Sequence, residues 1–270
     1  MIQVGIDSGS TVTKIAVIAD GAIAYTGSVP SGTDPIRSGT GLLAKAKNDL
    51  AARQDGMKVV VTGYGRKLLA DLGAQKTEIT CHARGAFALV TGAVSVTGVS
   101  FSPDPRFAAG FTLLDIGGQD SKAIKVDAAG RAADFAMNDK CAAGTGRFLE
   151  VIGRTLGFGI EGISAAAAGS GRAARLSSMC TVFADSEVVS LTARGERPEE
   201  IAWAACYACA ERCAGLVKRM GVKDTRVTGF VTVTGVEMSR DLVEANVFVS
   251  IFADEPERTE TLEGLKAIAP

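Results

Sequence analysis

Two segments of the chain repeat the same order of residue types. Asp7-Ser8-Gly9-Ser10-Thr11-Val12-Thr13-Lys14 runs into the apolar stretch Ile15-Ala16-Val17-Ile18 and then Asp20-Gly21. Asp115-Ile116-Gly117-Gly118-Gln119-Asp120-Ser121-Lys122 runs into Ala123-Ile124-Lys125-Val126 and then Gly130. Apolar residues lead into each, from Ile2 to Ile6 and from Phe111 to Leu114. Both segments therefore read as strand, Gly-rich turn, hydroxyl and Lys, strand, turn. Gly and Asp are common in turns, so shared turn residues alone describe two unrelated hairpins. Here the Asp, the Gly, the hydroxyl and the Lys all fall in register, and a duplicated lobe is the better account. The expected organisation is α/β, with one lobe over residues 1–105 and a second over 106–270. The C-terminal segment is left free to pack back on the first lobe.

The rest of the chain supplies strands and helices around those hairpins. Lys58-Val59-Val60-Val61-Thr62-Gly63 reads as a buried strand ended by Gly, followed by a short helix over 65–72 and another over 81–90. Residues 100–110, with two prolines, read as a loop. Helices are then predicted from about Ala142 to Leu156, from near Cys180 to near Gly195, and from Pro198 to Gly221, Pro being favourable in a first turn. Phe230 to Thr234 reads as a strand, and Gly235 to Glu244 as a turn and helix.

Composition narrows the function classes. A chain of 270 residues can bury a substantial core. Its formal net charge of −1 gives no bulk argument for nucleic acid or an anionic membrane surface. The N-terminus has neither a basic segment nor a long apolar stretch, and no apolar run is long enough to span a bilayer. The expected location is the cytoplasm. There the six cysteines are packed thiols or metal ligands rather than disulfides.

The hairpins point to phosphate. Small residues at a turn let backbone N–H groups approach phosphate oxygens without side-chain collision. Gly9-Ser10-Thr11 and Gly117-Gly118-Gln119 are such turns, with hydroxyl donors in the first. Asp7 and Asp115 end their strands facing the turns, where a carboxylate suits Mg²⁺ held through water. Two such hairpins converging from two lobes would clamp a triphosphate, which makes ATP or ADP the expected ligand.

At this point the chain resembles the activator ATPases of 2-hydroxyacyl-CoA dehydratases, relatives of the ATP-binding subunits of benzoyl-CoA reductase. These belong to the acetate and sugar kinase/heat-shock chaperone/actin superfamily. The resemblance rests on 5–11, 61–66, 78–86 and 115–122, and on two segments specific to the family. Those are Asn138-Asp139-Lys140-Cys141-Ala142-Ala143-Gly144-Thr145-Gly146-Arg147-Phe148-Leu149-Glu150 and Met179-Cys180-Thr181-Val182-Phe183-Ala184-Asp185-Ser186-Glu187. It implies duplicated actin-like, ribonuclease H-like ATPase lobes. It also implies an anaerobic, ATP-driven electron donor with one [4Fe-4S] cluster bridging a homodimer. The partners implied are a dehydratase or reductase that takes the electron, and a ferredoxin or flavodoxin-like donor that supplies it.

Asp7, Asp115 and Gln119 are the expected catalytic residues, with Gln119, from its position near the second phosphate turn, the candidate for orienting the hydrolytic water. Ser8, Gly9, Ser10, Thr11, Lys14, Gly117, Gly118, Gln119 and Asp120 are expected around the nucleotide. Gly235 and Val236 are expected there too, although the family's Gly-Gly-Val-Ala segment is replaced by Thr234-Gly235-Val236-Glu237-Met238-Ser239. Cys141 and Cys180, each at an expected helix start, are either buried thiols or cluster ligands. Positive helix ends favour thiolate, and a twofold dimer would bring two such pairs together. The family segments favour the ligand reading. Cys206, Cys209 and Cys213 share a helical stripe with Ala202, Leu216, Val217 and Met220, opposite Glu200, Glu211 and Lys218, and are expected to pack. Cys81 is expected to pack as well, and His82 to serve as a local hydrogen-bonding residue. The competing readings are a small-molecule kinase of the same superfamily and a regulatory nucleotide-binding member without a cluster.

Overall fold

The computed structural model describes residues 2–50, 57–96, 107–138, 142–170, 174–176, 181–220, 230–238, 245–252, 255 and 259–263. The chain divides into two compact units, residues 1–113 with 124–135, and residues 114–123 with 136–270.

In the first unit, strand β1 (Ile2–Ser8) buries Ile2, Val4 and Ile6 on one face, the alternation expected of a strand whose other face is less covered. It pairs antiparallel with β2 (Val12–Ala19), which pairs antiparallel with β3 (Ala22–Pro30). Asp20 and Gly21 join β2 to β3 with φ of 53° and 83°, the positive pair that a two-residue hairpin of matching twist requires. On its other edge β1 pairs in parallel with β4 (Lys58–Thr62). Short strands β5 (Ala74–Gln75) and β6 (Ser95–Val96) complete the order β5-β4-β1-β2-β3-β6. Helix α1 (Pro35–Asp49) starts with Pro in its first turn, and the Asp34 carboxylate accepts from Arg37 N at 3.0 Å. Its Leu42, Leu43 and Ala46 close over Val4, Ile6, Ile15, Val17 and Val61. Sequence periodicity did not single out α1. Helix α2 (Glu78–Val90) is capped by Thr77 and begins three residues before the expected start, with Ala83 packed on Ile124 and Val126.

A three-stranded sheet, β7 (Gly110–Ile116), β8 (Ser121–Asp127) and β9 (Ala132–Asn138) in that order, repeats the strand–turn–strand–turn–strand plan of β1 to β3. Most of the described residues of the second unit are helical: α3 (Gly146–Thr155), α4 (Gly159–Ala168), α5 (Thr181–Ala193) and α6 (Pro198–Arg219). Phe148, Ile152, Ile163, Ala167, Val188 and Ile201 lie in one core made by these four helices.

Three sequence expectations need correction. Helix α3 starts at Gly146 rather than near Ala142. Gly144 takes φ of +82° and Thr145 is extended, so residues 142–145 form a turn before the first helical residue. Strand β10 (Phe230–Met238) continues through Gly235 and Val236, and pairs antiparallel with β11 (Ala245–Phe252). The register shifts between Val233 and Gly235, so Gly235 marks a bulge where a helix-opening turn was expected. Residues 65–72 form two short 3₁₀ turns, Tyr64–Lys67 and Ala70–Leu72, in place of one helix.

The helical core gives a direct stability test. Phe148 is 1% exposed, so Phe148→Ala should cost about 3–5 kcal/mol through lost transfer energy and the cavity left behind. Ile36 on α1 is 49% exposed, and Ile36→Ala should stay within about 0.5 kcal/mol. Urea midpoints of the two variants check both.

Candidate phosphate-binding turns

In the first hairpin, Asp7 stands at the end of β1 directly opposite Lys14 on β2. Lys14 Nζ lies 3.3 Å from Asp7 Oδ2, with side chains 60% and 25% exposed. Gly9 is required between them, because a Cβ there would lie 2.7 Å from the Val12 carbonyl oxygen. The turn is fastened from behind by Ser31, just after β3. Its hydroxyl donates to the Gly9 carbonyl at 2.6 Å, shares a 2.9 Å hydrogen bond with Thr13 Oγ1, and its N–H donates to Thr11 O at 3.0 Å. Ser31 is a supporting residue that no motif marked. Gly63, with φ of +85°, presses on the Asp7 carboxylate and the Ser8 backbone, where any Cβ would overlap both. Gly65 in turn leaves space for the Ser8 hydroxyl. That hydroxyl is buried without a hydrogen-bond partner, so Ser8 lies beneath the turn while Thr11 and Lys14 are exposed.

The second hairpin repeats this plan at the level of atoms. Lys122 Nζ lies 3.3 Å from Asp115 Oδ2, the same atoms at the same sequence spacing of seven as in the first. Gly117 is again required, since a Cβ would lie 2.7 Å from Asp120 Oδ1 and 3.0 Å from its carbonyl oxygen. The two hairpins then differ. Lys122 is only 4% exposed and makes a second, shorter ion pair of 2.6 Å to Asp120 Oδ1. The other oxygen of Asp120, Oδ2, is buried with no hydrogen-bond partner. The Ser121 hydroxyl, in register with Thr13, donates to the Gly144 carbonyl at 2.5 Å. Gly146 N–H and Arg147 N–H, the first amides of α3, donate to the carbonyls of Gly117 and Gly118 at 2.9 and 2.8 Å. Gln119 is exposed at the tip of this turn.

These atoms suit a hydrated magnesium ion and a polyphosphate. Asp7 and Asp115 each offer a partly exposed carboxylate already held by a lysine, and hard oxygen donors are what Mg²⁺ prefers. In the second hairpin two carboxylates share one buried ammonium, and an unsatisfied carboxylate oxygen in such a place favours a further cation or donor. Glycines whose Cβ would strike the Val12 carbonyl in the first turn and the Asp120 carboxylate in the second keep both turns open to a phosphate.

Cys141 and Cys180 lie outside the described residues. Helix α5 begins at Thr181, immediately after Cys180, while four residues separate Cys141 from α3. Among the described residues no group of three or more His, Cys, Asp or Glu is arranged to hold a metal ion. The α6 cysteines pack as expected: Cys209 and Cys213 are buried and Cys206 is half-buried, on the side carrying Ala202 and Leu216. Cys213 Sγ lies 3.8 Å from the Gly144 carbonyl oxygen. Burial pushes the Cys206 thiol up to about 11. The hydrogen bond to Cys213, reinforced by burial, raises the Cys209 thiol further still.

Residues 106–250 match the model of the BadF/BadG/BcrA/BcrD ATPase family. The 2-hydroxyisocaproyl-CoA dehydratase activator of Clostridioides difficile is 37% identical over 246 residues, 91% of this chain and 85% of that protein. A solved structure of an activator of that dehydratase from Clostridium difficile, with bound ADPNP, superposes with a TM-score of 0.70 at 36% identity, covering 83% of this chain and 77% of the other. The (R)-2-hydroxyglutaryl-CoA dehydratase activating ATPase of Acidaminococcus fermentans is 37% identical over 231 residues, 84% of this chain and 82% of that protein. The solved component A of that dehydratase also gives a TM-score of 0.70, at 34% identity over 83% of this chain and 80% of the other. The chain shares the actin-like α/β fold of these activators. A stretch of 47 residues, 17% of this chain, is separately 64% identical to ribosome-binding factor A of Anaeromyxobacter sp..

Only thiolates are alkylated quickly, and both Cys206 and Cys209 are shifted towards the thiol. Iodoacetamide at about pH 8, near the ordinary thiol range, should therefore leave Cys206 and Cys209 of the folded protein unmodified. Labelling of Cys206 should appear as the pH approaches about 11. Peptide mass spectrometry reads the outcome, and prompt labelling at the lower pH would contradict the packed arrangement.

Proposed function

This chain belongs to the BadF/BadG/BcrA/BcrD ATPase family, and we propose that it is an ATP-hydrolysing iron–sulfur activator that passes a low-potential electron to a partner 2-hydroxyacyl-CoA dehydratase or related cluster-containing reductase. The observation that carries the nucleotide half is the pair of Asp–Lys hairpins, each with a glycine that admits no Cβ. Amides of Gly9 to Thr11 and of Gly118 and Gln119 bind phosphate oxygens, and Lys14 adds its charge. Asp7 and Asp115 hold Mg²⁺ through water. Gln119, exposed at the second turn, orients the attacking water. Gly235 and Val236, next to the register shift of β10, are assigned to the adenosine end of the nucleotide.

Cys141 and Cys180 are assigned to a [4Fe-4S] cluster shared with a second copy of the chain in a cytoplasmic homodimer. Such a cluster supplies a one-electron carrier of low potential. Thr181 supports the assignment, because its Oγ1 is buried without a hydrogen-bond partner one residue after Cys180. A hydroxyl in that state is a donor suited to a thiolate or sulfide acceptor. Nucleotide can drive such a device only by favouring one arrangement of the chain over another. A ferredoxin or flavodoxin-like protein is the donor that would reload it.

Two measurements test the two halves separately. Protein prepared without oxygen should carry about four irons per dimer, as a single [4Fe-4S] cluster requires. Cys141→Ser should abolish that iron, and iron that persists in the variant sinks the cluster assignment. Gln119→Ala should lower ATP turnover far more than ATP binding, and unchanged turnover removes Gln119 from the mechanism.

A further inference from the structure

The second phosphate turn has its carbonyl side committed. Gly117 O and Gly118 O accept from Gly146 N–H and Arg147 N–H, at the start of α3. A trans peptide is planar with its N–H opposite its C=O. The amides of Gly118 and Gln119, which share those two peptide planes, therefore point away from α3. Neither amide makes a hydrogen bond among the described residues. Helix α3 in turn depends on the turn. Its N-cap residue, Thr145, makes no capping hydrogen bond and instead donates its hydroxyl to Ala142 O at 2.6 Å. The first amides of a helix need acceptors, and here main-chain carbonyls of the phosphate turn supply them.

Ser121 adds a tie in the opposite direction, from the hairpin to the carbonyl of Gly144 at 2.5 Å. The Cys213 thiol reaches the same carbonyl. Gly144 itself is held against α6, since a Cβ there would lie 2.6 Å from the Arg212 Cβ. The first hairpin lacks this wiring. Gly9 O accepts from the Ser31 hydroxyl, and α1 is capped by its own Asp34. Among the described residues, only the second turn shares its peptide groups with the start of a helix.

We propose that Ser121 is a positioning residue that holds residues 142–145 on the second phosphate turn, so that α3 senses phosphate through the Gly117 and Gly118 carbonyls. This rests on the ATP reading above. An anion on the Gly118 and Gln119 amides polarises both peptide groups and makes their carbonyls better acceptors, because chained hydrogen bonds strengthen one another. Bound phosphate thus tightens the first turn of α3 and the segment that follows Cys141.

Amide hydrogen exchange of the full chain tests this, with and without Mg²⁺ and a non-hydrolysable ATP analogue. Exchange at Gly146 and Arg147 should slow severalfold with the analogue, while the first amides of α1 should change little. In Ser121→Ala the slowing at Gly146 and Arg147 should largely disappear with analogue affinity near that of the wild type. Ser121→Thr, the residue found in register at Thr13, should restore it. Binding without slowing in the wild-type protein overturns the inference and leaves the ATP reading standing, and needs no variant. Equal slowing in Ser121→Ala also overturns it. No binding of the analogue by calorimetry overturns both.

Discussion

A carboxylate closes a strand, and a lysine seven residues later reaches back across the turn to it, once in each hairpin. The rest of the two sites follows from that reach. The Asp and Lys must face each other on adjacent strands, as the register of Asp7 and Lys14 shows. The chain between them must then turn tightly enough that glycine is the only residue tolerated two positions after the Asp. A turn so tight satisfies only part of its own peptide groups, as Gly117 N–H does by donating to Asp120 O at 2.8 Å in the second hairpin. Its carbonyls are taken by Ser31 in one hairpin and by the start of α3 in the other. The amide faces are what remains for a ligand.

The two copies are chemically unequal. Lys14 is mostly exposed and pairs with one carboxylate, so water screens the pair and the ammonium can exchange partners at small cost. Lys122 is buried between Asp115 and Asp120, where charges interact more strongly and removing one partner would strand another. The first lysine is therefore the more readily re-paired of the two. The second is suited to fix the position of Asp115.

What could be seen in the sequence was whatever is decided by neighbours along the chain. Asp7, Gly9, Lys14 and their counterparts at Asp115, Gly117 and Lys122 act within a span of eight residues, and the residue types alone report the turn. The stripe of thiols on α6 was legible for the same reason, since helical pitch is local. Helix α4 was missed because Ala and Gly dominate Gly159–Ala168, and its burial comes from Ile163 and Ala167 meeting other helices. The start of α3 was misplaced because Ala142 and Ala143 favour helix, while contact with α6 holds Gly144 at a positive φ that ends any such helix. Ser31 and Gly63 support the first site from distant positions in sequence, and nothing near them announces the carboxylate or carbonyl they touch.

The link between the third strand and its helix occupies residues 31–34 in the first copy and 139–145 in the second. The longer version is the one that contains Cys141. Residues 139–145 follow the last strand of the β7-β8-β9 sheet, so a change of length there leaves the pairing of those strands intact.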